Sequence, residues 1–228
     1  MILGRLKIIW NSVFNRVEWY NLRSVKPFSK VFGLDRGIPI DRYYIEKFLE
    51  ENRSSVKGKV LEIAESTYSK RFDGGVTSFE ILHVDNSNKN ATIIGDLTNK
   101  ETLPENEIDC FILTQTLNFI ENFHEAIKGI RYVLKPGGVV LATLGGISQI
   151  SRYDMNRWGD YWRFTTLSAR KIFSDAFGEE NVKVDYYGNV LSSISFLEGL
   201  AMHELSKDEL DFKDEDYQML ITVVARKA

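Results

Sequence analysis

A single thiol, Cys110, is the whole cysteine content of this chain, and it lies inside an apolar run. That excludes an intramolecular disulfide framework or a cysteine zinc cluster and suits a reducing, cytoplasmic setting. His83, His124 and His203 are the only histidines. They are scattered, and no pair has metal-ligand spacing, so they are expected to be structural and no metal is expected. No apolar run approaches the roughly 20 residues of a membrane span. Neither sign of charge dominates: the formal net charge is −3, which gives no reason to expect a nucleic-acid partner. Internal repeats and low-complexity linkers are absent too, so 58–228 is expected to form one globular unit, with 1–57 as a helical extension.

The chain instead holds alternating strand and helix patterns. In Ile108–Leu144 an apolar run, Ile108–Leu113, is followed by Ile120, Phe123, Ile127, Ile130 and Leu134 at helical spacing. Lys135-Pro136-Gly137-Gly138 stops that helix, and Val139–Leu144 is a second apolar run. Strand, helix, turn, strand is a βαβ unit with parallel strands and a right-handed crossover. Further strands are expected at Lys59–Ile63, Glu80–Asp85, Ala91–Gly95, Val182–Tyr187 and Gln218–Ala225. Helices are expected within Arg36–Leu49, over Thr166–Phe177 with a threonine cap, and over Asn189–His203, where Leu191, Ile194, Leu197 and Leu200 recur at helical spacing.

Charge is unevenly spread. Residues 1–30 carry a local excess of about +5, and Glu204–Asp216 one of about −5, read as a solvated loop. Within Met1–Val17, Leu3, Leu6, Trp10, Val13 and Val17 fall on one helical stripe. Such a basic amphipathic helix lies either on an anionic membrane surface or, more commonly, against the domain or a neighbouring subunit.

In a doubly wound sheet, ligands bind at the carboxyl ends of the strands, and an acid about 20 residues beyond the first strand can hold a ribose. Glu62, Asp85 and Asp96 stand at three successive predicted strand ends, with Leu97 after the third, and together would make an adenosine-shaped site. Gln115, Thr116 and Asn118 follow the fourth strand, where they either contact ligands or cap the next helix. Arg36, Asp41, Arg42 and Tyr43 either close over the site or serve capping and surface pairing. Gly145–Thr165 packs Tyr153, Trp158, Tyr161, Trp162 and Phe164 among Arg152, Asp154, Arg157, Asp160 and Arg163, too aromatic for a solvated linker.

The order of elements, the acids at strand ends and the LKPGG turn resemble the class I S-adenosylmethionine-dependent methyltransferases of the type 11 kind over Gly58–Leu144. The resemblance implies a Rossmann-like α/β fold: a doubly wound, seven-stranded sheet, mostly parallel with an antiparallel last strand and helices on both faces. It implies S-adenosylmethionine as cofactor, held by Glu62, Ala64, Ser66, Asp85, Asp96, Leu97, Gln115 and Thr116. It also implies methyl transfer to an oxygen or nitrogen, with Asp154 or Asp160 as base and Tyr153 and Arg163 as orienting groups. Segments FGLDRGIPIDRYYIEKFL, SQISRYDMNRWGDYWRFT and YGNVLSSISFLEGLAMHEL further resemble modules encoded beside glycosyltransferases for bacterial surface glycans. That implies a small-molecule or glycan acceptor and a glycosyltransferase as partner. One departure stands out. Where the family carries glycines in its first loop, this chain has Ala64, Ser66 and Tyr68, which leaves a catalytically silent partner-binding or glycan-binding module as the second reading. A nicotinamide dehydrogenase fits poorly, since no G-x-G-x-x-G is present.

Overall fold

The computed structural model describes Glu18 and residues 20–228. The stripe Met1–Val17, and with it the membrane-surface reading, lies outside the described residues. Seven strands form one sheet: β1 (Gly58–Ile63), β2 (Val76–His83), β3 (Ile93–Ile94), β4 (Ile108–Thr114), β5 (Leu134–Gly145), β6 (Val182–Tyr187) and β7 (Leu220–Arg226). Their spatial order is β3-β2-β1-β4-β5-β7-β6. β1 to β5 pair in parallel, and β7 runs antiparallel to both its neighbours, β5 and β6. This is the mostly parallel sheet with an antiparallel last strand that the resemblance implies.

Seven α-helices surround the sheet among the described residues: α1 (Ile40–Glu51), α2 (Thr67–Arg71), α3 (Phe123–Val133), α4 (Arg152–Met155), α5 (Thr166–Phe177), α6 (Val190–Leu197) and α7 (Lys207–Asp211). Alternation along the strands sorts the core into two layers. Leu61, Phe111, Leu113 and Val140 face α3 and α5, where Ile127, Ile130, Ala169 and Phe173 are buried. Val60, Cys110, Ile112 and Leu141 face the other way and meet α1 through Ile40, Tyr44, Ile45, Phe48 and Leu49. Residues 40–49, counted from sequence with the N-terminal extension, thus lie in the same core as the central strands. Burial pushes the Cys110 thiol up to about 12, consistent with an inert core residue.

Local signals set most boundaries. Thr165 caps α5 through a reciprocal pair with Ser168 (Ser168 N to Thr165 Oγ1, 3.2 Å; Thr165 N to Ser168 Oγ, 2.9 Å), and Gly178 ends it at φ 88°. Lys135–Gly138 is drawn into β5 as an irregularity, where the register with β4 shifts between Ile108 and Cys110. β2 ends at His83, so Asp85 lies in the following loop and not on the strand. β3 is only two residues long, no α-helix lies between β2 and β3 or between β3 and β4, and a single 3-10 turn, Lys100–Thr102, bridges the latter pair. α6 stops at Leu197, short of His203, because Glu198–Leu200 turns to meet Ser29 and Gly33.

The acidic run is no simple loop. Ser206 and Glu209 cap α7 reciprocally, and Asp211 accepts hydrogen bonds from Tyr43 Oη (2.8 Å) and Lys47 Nζ (2.7 Å) of α1.

Gly129 in α3 shows packing and propensity in opposition. A Cβ there would stand 2.0 Å from the Leu97 carbonyl oxygen. Alanine favours a helix over glycine by about 1 kcal/mol, whereas forcing two backbones apart costs about 1–3 kcal/mol or more. Gly129→Ala is therefore expected to lower stability in urea denaturation despite its higher helix propensity. A gain would mean that α3 and the 95–103 loop do not pack so closely.

Candidate functional site

The carboxyl ends of β1, β2 and β3 meet around His83. The Ala64 N–H donates to the Leu82 carbonyl (3.1 Å), and the Gly95 N–H donates to the His83 carbonyl (3.0 Å). The Asp85 carboxylate stands 3.2 Å from His83 Nδ1 and accepts from the Ser87 N–H at 2.9 Å, which holds it below its usual range. Asp96, exposed at the end of β3, accepts from the Thr98 N–H and Oγ1, each at 2.8 Å, and Leu97 behind it is buried. Both carboxylates keep unused lone pairs, and the pairing of β1, β2 and β3 places Ala64, Asp85 and Asp96 along one edge.

The first loop solves its missing glycines in a particular way. Ala64 adopts φ 65°, the left-handed conformation that glycine takes freely, and its carbonyl accepts from Asn88 Nδ2 at 2.6 Å. Glu62, only 3 % exposed, turns its carboxylate into the loop. There it accepts from the N–H groups of Tyr68 (3.1 Å) and Ser69 (2.8 Å) and from Ser69 Oγ. Burial pushes this carboxyl up against those bonds. Glu62 therefore acts on a ligand only through the loop it shapes. Tyr68 packs on Phe72 in the α1-side core, and Ser66, buried at the start of α2, lines a cavity of about 320 Å³ with Glu65, Thr67, Lys70, Ile81 and Asn90.

A second cavity, of about 190 Å³, opens beyond the ends of β4 and β5. Gln115, Asn118, Ser148, Gln149, Ser151, Asp154, Asp160 and Arg163 line it. Asp41 and three phenylalanines, Phe32, Phe119 and Phe196, complete it. Gln115 is held at φ 48°, its N–H donating to the Thr143 carbonyl at 2.9 Å. Non-glycine residues in that conformation concentrate at functional sites. Thr116 bonds Thr114 and is not in the cavity, nor does it cap α3; Asn122 does.

The aromatic loop is built by specific bonds. The Asn118 carbonyl accepts from the N–H groups of Tyr161 (2.9 Å) and Trp162 (3.2 Å), and Trp162 Nε1 donates to the Ile120 carbonyl (3.1 Å). Asp160 takes both guanidinium nitrogens of Arg163, at 2.5 and 3.0 Å, and the Ser151 N–H at 3.0 Å. Burial pushes the Asp160 carboxyl up, but those partners outweigh it and hold it below the usual range. So fixed an anion is a poor base, and it orients the loop instead. Asp154 accepts from Ser151 Oγ at 2.5 Å. Tyr153 stands outside, 66 % exposed under the Arg157 guanidinium, and does not join the other predicted residues. Trp158 reaches across β4 and β1 to lie edge-on to His83, their rings 6.2 Å apart. The loop thereby links the two halves of the site.

Asp41 is the group that sequence reasoning placed only loosely. It sits in the first turn of α1, its Oδ1 accepts from the Arg42 N–H at 2.8 Å, and burial pushes its carboxyl up to about 6.

Residues 55–142, well under half of the chain, match the model of the methyltransferase domain family. Solved structures of the same fold include an S-adenosylmethionine-dependent methyltransferase from Mesorhizobium loti, 17 % identical at TM-score 0.54, covering 78 % of this chain and 95 % of that one. One from Archaeoglobus fulgidus is 11 % identical at TM-score 0.52, covering 82 % and 94 %. The [4+2]-cyclase SpnF is 17 % identical at TM-score 0.51, covering 81 % and 80 %. No curated protein sequence matches the chain. The family match indicates S-adenosylmethionine as the cofactor. The unused lone pairs of Asp85 and Asp96 suit an adenosine group, and Ala64, one of the three replaced glycine positions, still makes a left-handed turn.

The Asp41 shift has a sign. A carboxyl raised in the folded state stabilises the protein most when protonated, below about pH 4, and that contribution is lost as pH rises through about 6. Asp41→Asn is expected to flatten the melting temperature across pH 4–7 and to exceed the parent chain at pH 7. A profile as steep as that of the parent chain would show that Asp41 is solvated.

Proposed function

We propose that this protein is an S-adenosylmethionine-dependent methyltransferase that methylates an oxygen or nitrogen of a small-molecule or glycan acceptor. One observation carries the proposal. The loop after β5 walls the 190 Å³ cavity with Asp154 and Asp160 and, through Trp158, touches the edge where β1, β2 and β3 end. An acceptor in the cavity and a cofactor along that edge would meet under one loop.

Bound S-adenosylmethionine supplies a methyl group already activated on sulfonium. The rest falls to the chain. Asp85 receives ribose hydroxyls, Asp96 receives the adenine amino group beside Leu97, and the Ala64–Ser66 turn lies against the methionine part. Alignment of the acceptor with the methyl group then carries much of the rate. Asp41, with its carboxyl near 6, is ionised at neutral pH yet basic enough to take the acceptor's proton. Asp154 is a second base, and the Asp160–Arg163 pair holds the acceptor side in shape. Phe32, Phe119 and Phe196 give sugar faces a stacking surface, which supports a glycan acceptor. A cytoplasmic place in surface-glycan synthesis beside a glycosyltransferase rests on the segment likenesses between Phe32 and Leu205.

The second reading, a silent module binding a partner enzyme or glycan, is favoured by Ser66 and Tyr68 at the glycine positions.

Methyl-labelled S-adenosylmethionine, offered with nucleotide sugars and glycan fragments, separates the two. Label is expected in an acceptor, with Asp41→Asn reducing the rate by about 10²–10⁴. Cofactor binding with no labelled product from any acceptor would favour the silent module. Asp85→Ala is expected to weaken cofactor binding by about 1.5–3 kcal/mol in calorimetry. Unchanged affinity would remove its ribose role.

A further inference from the structure

α6 is amphipathic in reverse. Ser192, Ser193 and Ser195 are buried, whereas Val190, Leu191, Ile194 and Leu197 are each 40 % or more exposed. The small serines let the helix lie close to α1, and the aliphatic stripe is left facing outward. Apolar surface extends past both ends of the helix, through Phe212 (63 % exposed) at one and Phe28 and Val31 (47 and 48 %) at the other.

The two ends differ in charge. At the amino end, Asn189 Nδ2 donates to the carbonyls of Glu209 (2.7 Å) and Phe212 (2.8 Å), and the Asp214 N–H donates to the Gly188 carbonyl (2.9 Å). This gathers Asp208, Asp214, Glu215 and Asp216 at that end, while Lys207 and Lys213 pair with Asp211 and Asp185. At the carboxyl end, the Ser29 N–H donates to the Glu198 carbonyl (3.1 Å), which brings in Lys26 and Lys30, whose two charges outweigh that of Glu198 itself. An apolar strip that is acidic at one end and basic at the other complements itself when turned through 180°.

We propose that this face is the two-fold interface of a homodimer. α6 packs antiparallel on its copy, and each basic end meets the other chain's acidic end. An anionic lipid surface fits less well, because the acidic end would be repelled. A stable interface takes about 800 Å² from each partner, more than a helix about 12 Å long offers, so Phe28, Val31 and Phe212 are part of it. The inner side of α6 carries Phe196, 5.8 Å from Phe32 between ring centres, and both line the 190 Å³ cavity. The dimer would thus buttress one wall of the site from outside.

Light scattering of the intact chain over micromolar to hundreds of micromolar concentration tests this. Twice the chain mass is expected, with dissociation promoted by salt because the end contacts are ionic. Ile194→Asp, at an outward position, is expected to raise the dissociation constant about 100-fold. Lys26→Glu with Lys30→Glu should weaken the dimer, and adding Glu215→Lys and Asp216→Lys should restore it. That rescue reads the interface even if Ile194→Asp fails to fold. A monomer at every concentration, or a dimer indifferent to both sets of substitutions, overturns the proposal. So does a monomer that binds phosphatidylglycerol vesicles through Ile194, which would make lipid the occupant. A monomer that Ile194→Asp destabilises would overturn it in favour of the chain's own residues 1–17.

Discussion

The buried carboxylate of Glu62 is the constraint on which the site depends. It ends β1, is almost shielded from solvent, and is satisfied by the backbone of Tyr68 and Ser69 together with the Ser69 hydroxyl. Leaving such a group without partners would cost several kcal/mol, so the loop between them has little choice of path. That path takes Ala64 through a left-handed conformation at a cost of about 1 kcal/mol and sends Tyr68 inward to the α1-side core, away from the ligand edge. A loop without glycine thereby keeps a turn that glycine would make more cheaply.

From this turn the rest follows in space. β1 fixes β2 and β4 on either side, and His83 becomes the point where β1, β2 and β3 end together. Asn118, beyond β4, accepts two N–H groups of the aromatic loop, and this lets a segment that starts after β5 return over the sheet to His83. Asp160 and Arg163 lock the loop's shape at the expense of Asp160's own basicity. Asp41, whose carboxylate accepts from just the neighbouring Arg42 N–H among the described residues, keeps the proton affinity that the paired acids lose. SpnF, a cyclase on the same fold, shows that such a scaffold is not tied to one reaction.

The sheet was legible because buried parallel strands are short apolar runs bounded by turn residues, as Ile108–Leu113 and Val139–Leu144 illustrate. What spacing could not give was direction. Leu191, Ile194 and Leu197 share a helix face, but periodicity does not say whether that face points in or out, and the interleaved serines are what is buried. Asp41 was visible as a capping acid. Its place in the cavity depends on Phe32 and Phe196, which are distant in sequence and 5.8 Å apart in space. Adjacency groups Tyr153 with Asp154, but successive residues of a helix point about 100° apart. The short helix in the acidic run had a local signal, Ser206 three residues before Glu209, that net charge concealed.

Calorimetric titration of the cofactor-stripped protein with S-adenosylmethionine and with its demethylated product tests the central claim most directly, that the glycine-free first loop still forms a cofactor site. Micromolar binding of both is predicted, since Asp85 and Asp96 keep unused lone pairs and Ala64 keeps its left-handed turn. Folded protein that binds neither ligand up to millimolar concentration would contradict it.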